Sequence, residues 1–231
     1  MRLCYFCLLL YRDNDMIRIL HTADWHLGQT FFGYDRTKEH EAFLDWLLRE
    51  IRKNEIDALI IAGDVFDVSN PSAASQRMYY EFIYRVTAEN PGLQIVIVAG
   101  NHDSAARLEA PLPLLQAMRT EVRGVVRKLN EGEIDYDHLA VELKNREGEV
   151  EVLCMAVPFL RQGDYPVVET EGNPYMEGVR ELYTQRLQRL WARRKTNQAI
   201  LAIGHLQATG SEIAEKDYSE RTVIGGLECV S

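Results

Sequence analysis

Gly100-Asn101-His102-Asp103 follows directly after the apolar run Gln94-Ile95-Val96-Ile97-Val98-Ala99. The run is rich in β-branched residues and is bounded by glycine on both sides, which predicts a strand buried on both faces, as in a parallel sheet. The polar cluster therefore lies at the carboxyl end of a strand, where open α/β sheets bind ligands. The Asn can offer an oxygen to a metal, and the His can serve as an acid or as a nitrogen ligand. The Asp can fix the orientation of the His ring.

Earlier in the chain, two more buried strands alternate with two amphipathic helices. The strands are predicted at residues 17–20 and 58–62, and the helices at residues 36–53 and 73–89. Ser72 precedes the second helix and can accept hydrogen bonds from its first free N–H groups. Together with the strand at residues 94–99, this order predicts a right-handed parallel βαβ arrangement.

The second half of the chain has a different pattern. Short strand-like segments separated by glycine-containing turns predict hairpins and a second, more antiparallel sheet. A long helix and one further buried strand follow, and that strand ends in Gly204-His205. The predicted segments are strands at residues 122–126, 139–143 and 150–156, the helix at 176–195 and the last strand at 199–203.

The composition restricts the class of protein. In 231 residues, 46% are hydrophobic, which is ordinary for a globular chain with a real core. The net charge of -9 does not suit a protein that coats nucleic acid, but it leaves open a nuclease whose metals and partner protein supply positive charge. The four cysteines, at positions 4, 7, 154 and 229, fit a reduced, cytoplasmic protein.

Residues 1–15 are predicted to be an extension outside the fold. The apolar run at residues 3–11 is too short to span a bilayer, and no small-residue cleavage site follows it. Met16 opens the first clear strand. The domain is therefore predicted to comprise residues 16–231, with no membrane partner.

Chemically useful side chains end four separate strands. They are Asp24 and His26, Asp64, Asn101 and His102, and His205. One such Asp is usually a turn residue or helix cap, and one such His is usually a hydrogen-bonded structural group. We expect all of them at one edge of one sheet, where burying so many carboxylates and imidazoles would be costly without a cation.

This donor set suits Mn, Fe, Zn or Mg. Hydrolases hold two such metals about 3.5–4 Å apart, and a bridging carboxylate is a natural way to hold them. The metals lower the pKa of a shared water and bind the phosphate oxygens. His102, oriented by Asp103, can then supply the proton that the leaving oxygen needs.

The ordered set D-x-H, G-D-x-x-D, G-N-H-D and G-H resembles the calcineurin-like metallophosphoesterase superfamily. The stretches Arg107-Leu108-Glu109-Ala110 and Val157-Pro158-Phe159-Leu160-Arg161 are similar to those of its bacterial nuclease branch, the SbcD proteins. The resemblance implies an α/β fold, a two-sheet β-sandwich flanked by helices. It also implies site roles: Asp24 and His26 on the first metal, Asp64 bridging, Asn101 and His205 on the second metal, His102 as the catalytic His and Asp103 as its partner.

The same resemblance implies a function. SbcD-type nucleases cleave DNA phosphodiesters with two divalent ions, typically Mn2+, as duplex exonucleases and single-strand endonucleases. They act as homodimers with an SbcC-type coiled-coil ATPase in DNA recombination, replication and repair. Two alternatives stay open: another metallophosphoesterase acting on small phosphodiesters or phosphoproteins, and a non-catalytic dimerisation or DNA-binding fragment.

Two further expectations concern completeness and the first loop. The family pattern continues with G-H-x-H, one ligand for each metal, and the sequence reaches Ser231 without it. We therefore expect residues 1–231 alone to bind metal weakly and cleave poorly. Phe31, Phe32 and Tyr34 follow the first motif and could either stack on DNA bases or pack down on the sheet. Asp67 could support the ligands or serve only in a turn.

Overall fold

The structure is a computed structural model that describes residues 16–208 and 229–230. In chain order its strands and helices are β1 (Ile19–Thr22), β2 (Thr30–Phe31), β3 (Tyr34–Asp35), α1 (Thr37–Lys53), β4 (Ala58–Ala62), α2 (Ala73–Glu89), β5 (Gln94–Val98), α3 (Ala105–Glu109), α4 (Leu112–Gln116), β6 (Thr120–Arg123), β7 (Ala140–Lys144), β8 (Val150–Val157), α5 (Pro174–Arg193), β9 (Ala199–Gly204), β10 (Gln207–Ala208) and β11 (Cys229–Val230). The predicted extension, residues 1–15, lies outside the described residues.

The first sheet is parallel throughout, in the order β1-β4-β5-β6. Successive side chains of a strand point to opposite faces, so each apolar strand serves two cores. Leu59 and Ile61 of β4 pack in the core that includes α1 and α2. Ile60 and Ala62 pack in a second core shared with β8. Burial on both faces explains why these strands are continuous apolar runs.

The second sheet has the order β7-β8-β9. Cys154 and Ala156 of β8 face the first sheet, while Leu153 and Met155 of β8 pack with α5. The layers are therefore helices, sheet, sheet and helix, which confirms the predicted two-sheet sandwich flanked by helices. Cys154 is buried in this core, and burial raises the pKa of its thiol to about 12.

One prediction about the strands is wrong. The segment predicted as a strand of the second sheet, residues 122–126, overlaps the end of β6, which pairs parallel with β5 in the first sheet. The short helices α3 and α4, which were not predicted, carry the chain between these two strands. In the second sheet β7 and β8 pair antiparallel, as the predicted hairpin requires, and β9 pairs parallel with β8, so this sheet is mixed. No helix within the described ranges is both long and apolar enough to cross a membrane.

Candidate metal centre

Two motif loops lie side by side at the carboxyl edge of the first sheet. The Asp24 N–H donates to the carbonyl of Gly63 at 3.1 Å, and the His26 N–H donates to the carbonyl of Asp64 at 2.9 Å. These bonds continue the β1–β4 ladder beyond the strands. The carboxyl ends of neighbouring parallel strands therefore bring the D-x-H and G-D-x-x-D motifs together, as the sequence predicts.

His205 reaches this edge from the other sheet, which corrects the expectation that all the ligands follow strands of one sheet. It comes directly after β9, and its Nδ1 lies 2.8 Å from the carbonyl oxygen of Ala62, the last residue of β4. Its Nε2 lies 2.9 Å from the side-chain oxygen of Asn101. The centre is thus formed between the two sheets of the sandwich.

Three of the predicted ligands have left-handed backbone conformations. The φ angles are 57° at Asp24, 46° at His26 and 49° at Asp64. Such angles are uncommon outside glycine, and residues held in sparsely populated conformations cluster at functional sites. The hydrogen bonds between the two motif loops hold Asp24 and His26 in place despite this strain.

Asp64 lies at the middle of the cluster. Its Oδ2 is 3.6 Å from Nε2 of His26, 4.0 Å from Nε2 of His102 and 3.5 Å from Nε2 of His205. Two groups of potential ligands, His26–Asp64–His102 and Asp24–Asp64–His205, each have their ligand atoms within 4.8 Å of one another. Asp64 belongs to both groups, so it is placed as a bridging carboxylate would be.

The other ligands are distributed differently from the predicted assignment. Asp24 groups with His205 rather than with His26, and His102 joins His26. Asp24, His26 and His205 nevertheless lie around the same carboxylate, and Asn101 contacts His205. This donor set of carboxylate, imidazole and amide groups fits a hard or borderline divalent cation. A structural basis for holding metal is therefore present in the described part of the chain.

The charges in the cluster are strongly coupled. Burial alone would raise the pKa of Asp64, but the hydrogen bond and charge of His205 and the His102 N–H lower it below its ordinary value. Burial likewise opposes protonation of His205, yet Asp64 raises the pKa of His205 to about 9. Burial raises the pKa of Asp24. Protons and divalent cations compete for the same ligand atoms, so metal binding to such a cluster releases protons.

Asp103 does not orient His102, which corrects the predicted pairing. Its buried carboxylate accepts hydrogen bonds from the N–H groups of Val65 at 3.2 Å, Phe66 at 3.0 Å and Gly100 at 2.9 Å. These bonds fasten the G-D-x-x-D loop to the G-N-H-D loop. The pKa of Asp103 is raised because the side chain is buried.

Asp67 is the residue whose role the sequence left open. Its carbonyl oxygen lies 2.8 Å from Nδ1 of His102, and its Oδ1 lies 3.4 Å from Nδ1 of His26. Contact with His26 lowers the pKa of the Asp67 carboxyl. Asp67 can therefore position the His102 ring through its carbonyl, and its carboxylate lies beside the His26 ring. The sequence signal for this role is its place as the second Asp of G-D-x-x-D.

Two glycines permit the close approach of the ligands. A Cβ at Gly100 would overlap the carboxylate and the backbone nitrogen of Asp64. A Cβ at Gly63 would overlap the ring of His205, and Gly63 also has a φ of 91° that side chains rarely adopt. Gly100 is thus required for space beside Asp64, in addition to any freedom it gives the turn.

The first loop forms a small hairpin of β2 and β3 with exposed aromatic side chains. Phe32 is 79% exposed and Tyr34 is 75% exposed, so the alternative in which these rings pack down on the sheet is wrong. Phe31 is 43% exposed and contacts Phe32 edge to face. The hairpin begins four residues after His26 and presents aromatic surface close in sequence to a ligand.

Comparison with known proteins identifies the class. Residues 17–226 match the family model described as calcineurin-like phosphoesterase. The match covers most of the chain and includes every residue of the cluster. The chain therefore belongs to the calcineurin-like phosphoesterase family, and the recognition based on its motifs is confirmed.

Among individual relatives, the chain is similar to the SbcD components of SbcCD nucleases. The Rhodobacter capsulatus protein is 38% identical over 93% of this chain and 53% of its own length, and the Escherichia coli protein is 32% identical over 92% and 51%. The Bacillus subtilis protein is 44% identical over a shorter stretch, 42% of this chain and 25% of its own length. The chain thus spans about half the length of the first two relatives.

Proposed function

We propose that this chain hydrolyses DNA phosphodiesters with two divalent metal ions, as the nuclease component of an SbcCD-type complex in DNA recombination, replication and repair. The observation that carries the proposal is the position of Asp64, which belongs to two groups of potential ligands at once. The similarity to the SbcD components of SbcCD nucleases supports DNA as the substrate and an SbcC-type ATPase as the partner. A homodimer in the cytoplasm, with duplex exonuclease and single-strand endonuclease activity, completes the proposal.

The ligands we assign to the metals are Asp24, His26, Asp64, Asn101 and His205. We expect Mn2+ at both positions, with Mg2+, Fe or Zn as alternatives, because the donors are oxygens and imidazole nitrogens. Two bound metals would lower the pKa of a shared water and neutralise charge on the phosphate. The remaining residues of the centre hold these ligands in place.

His102 is proposed as the general acid. If its Nδ1–H donates to the Asp67 carbonyl, as the 2.8 Å separation allows, the tautomer is fixed and Nε2 faces Asp64. In the imidazolium form, which carries a second proton on Nε2, the ring can give that proton to the leaving oxygen of the sugar and become neutral. The carbonyl of Asp67 fixes the ring of His102. The carboxylate of Asp103 fixes the loop that carries His102.

A substitution at His102 tests this proposal. In His102→Gln we expect cleavage of an oligonucleotide with Mn2+ to fall about 10²- to 10⁴-fold, the usual contribution of a general acid. The number of Mn2+ ions bound, measured by calorimetry, should stay the same as in the wild type. His138→Gln, which changes a histidine outside the cluster, is the matched control. Loss of metal from His102→Gln would show that His102 is a ligand instead.

The two alternative functions give different results. A phosphoesterase for small substrates would turn over bis-p-nitrophenyl phosphate but neither bind nor cleave duplex or single-stranded DNA. A non-catalytic fragment would show no Mn2+-dependent turnover of either substrate, even when lengthened through a G-H-x-H motif. The comparison uses the same metal concentration for every variant.

A further inference from the structure

The loop after β8 is bonded to the edge of the first sheet. The Phe159 N–H donates to the carbonyl of Ala99 at 2.8 Å, directly beyond the end of β5. Leu160 is buried in the core between β8 and α5. A segment of the second sheet is therefore held next to the G-N-H-D loop, on the Asn101 side of the metal centre.

Arg161 follows on this loop and its backbone is fixed. Its N–H donates to Oδ2 of Asp164 at 2.8 Å, and the Asp164 N–H donates back to the Arg161 carbonyl at 2.9 Å. The guanidinium carbon lies 5.3 Å from the centre of the Phe159 ring, and Nη2 lies 3.4 Å from the carbonyl oxygen of Asn101. The Asn101 side chain in turn contacts His205, a proposed metal ligand. Asn101 therefore connects the Arg161 guanidinium to the candidate metal centre.

Arg161 stacks on an aromatic ring, as Arg189 and Arg194 do, but it differs from them in lying beside Asn101. It also differs from the surface arginines that form ion pairs. Arg85 pairs with Asp45 at 2.8 Å, and Arg146 pairs with Asp57 at 3.0 Å. Among the residues that the structure describes, no carboxylate lies within 4.0 Å of the Arg161 guanidinium, which rests on a ring and one carbonyl. A guanidinium has five N–H donors in a planar fork, so most of them are available. Such a stacked, exposed fork suits a phosphate group.

We propose that Arg161 binds a DNA phosphate that flanks the scissile one, on the Asn101 side of the centre. The proposal rests on the proposed function, since it requires a substrate with more than one phosphate. In the proposed function, the scissile phosphate binds at the metals that Asp64 and the other ligands would hold. Asn101 lies between these ligands and the Arg161 guanidinium. Arg161 therefore contributes binding to a polymeric substrate and nothing to a substrate with a single phosphate.

Arg161→Gln tests this by comparing two substrates. With Mn2+, KM for a single-stranded oligonucleotide should rise roughly 10- to 100-fold, as expected for loss of a charged hydrogen bond. The kcat on DNA and both constants on bis-p-nitrophenyl phosphate should change by less than about twofold, because the reacting groups are intact. Arg161→Lys should recover part of the affinity, since it keeps the charge but loses the fork.

Lys53→Gln is the matched control. It also removes one exposed positive charge, but Lys53 ends α1 and precedes β4, so it lies toward the opposite edge of the first sheet. This variant should leave KM for both substrates unchanged. A similar rise in KM from Lys53→Gln would mean that net charge, rather than the position of Arg161, governs DNA binding.

The salt dependence of binding gives an independent readout. In a His102→Gln background that blocks cleavage, Arg161→Gln should reduce the slope of log K against log salt on single-stranded DNA by about 0.7, the value for one lost phosphate contact. An unchanged slope with an unchanged KM would overturn the proposal, and so would equal losses on both substrates. A wild type that turns over bis-p-nitrophenyl phosphate without binding DNA would overturn the proposed function itself.

Discussion

The two sheets contribute to the metal centre in different ways. The first sheet supplies most of the proposed ligands on loops that follow neighbouring parallel strands and are bonded to one another. The second sheet supplies His205 and Arg161 on loops that cross to the first sheet, with contacts at Ala62 and Ala99. The difference shows that the first set is fixed by local strand geometry, whereas the second depends on how the sheets pack.

Of the changes considered, removal of His205 should have the largest effect, a loss of Mn2+ affinity. In His205→Ala, the group His26–Asp64–His102 is intact while the group containing Asp24 loses a member. We expect affinity for one of the two Mn2+ ions to fall by more than about 100-fold, since changes to supporting residues alone cost about 10- to 100-fold. Calorimetry should show one Mn2+ site with wild-type affinity and one weakened site. Wild-type affinity at both sites would mean that the second sheet is not needed for metal.

Asp103→Asn should destabilise the loops that carry the first sheet's proposed ligands. The amide can accept through one oxygen only, so a buried N–H of Val65, Phe66 or Gly100 loses its partner. We expect a loss of about 1–3 kcal/mol in the free energy of unfolding, measured by denaturant titration. Asp45→Asn breaks only an exposed ion pair with Arg85 and should cost less than about 1 kcal/mol. Equal effects of the two variants would contradict the role given to Asp103.

Gly100→Ala tests whether the first sheet's proposed ligands need the space beside Asp64. The added Cβ meets the backbone nitrogen of Asp64, so side-chain rotation cannot relieve the overlap. We expect a destabilisation of about 1–3 kcal/mol and weaker binding of Mn2+. Gly92→Ala adds the same atom where nothing lies within 4 Å and should change stability by less than about 0.5 kcal/mol. Wild-type metal affinity in Gly100→Ala would argue against close packing of the ligands.

The last prediction concerns His138, which lies away from the proposed ligands and should affect stability without affecting metal binding. Burial, with Arg123 and Arg127 nearby, lowers the pKa of His138 to about 4. The unfolded chain takes up this proton near the ordinary pKa of about 6.5, so between these values the unfolded state binds more protons. Stability should therefore fall as the pH is lowered through this window. His138→Gln should flatten that part of the curve, and an unchanged slope would exclude His138 as its cause.

Much of the first sheet could be predicted from the sequence. The bounds predicted for β4 and for α2 agree with the structure, and the side chain of Ser72 caps α2 by accepting from the Ser75 N–H. These elements follow from local patterns: apolar runs, helical periodicity and a capping residue. The convergence of Asp24, His26 and Asp64 follows in turn from the parallel order of the strands.

The features that were missed depend on tertiary contacts. Nothing local to Asp103 shows that its carboxylate bonds three backbone N–H groups instead of His102. The arrival of His205 from the second sheet depends on the packing of two sheets, which hydrophobic pattern does not specify. The sequence pattern does not show that β6 belongs to the first sheet, because the helices that connect it to β5 are only five residues each.

Anomalous diffraction from crystals grown with Mn2+ tests the central claim most directly. A bridging Asp64 predicts two manganese peaks about 3.5–4 Å apart, the usual separation in two-metal hydrolases. The Asp64 carboxylate should lie between them, with His205 bound to one of the two. A single peak, or two peaks that Asp64 does not bridge, would contradict it.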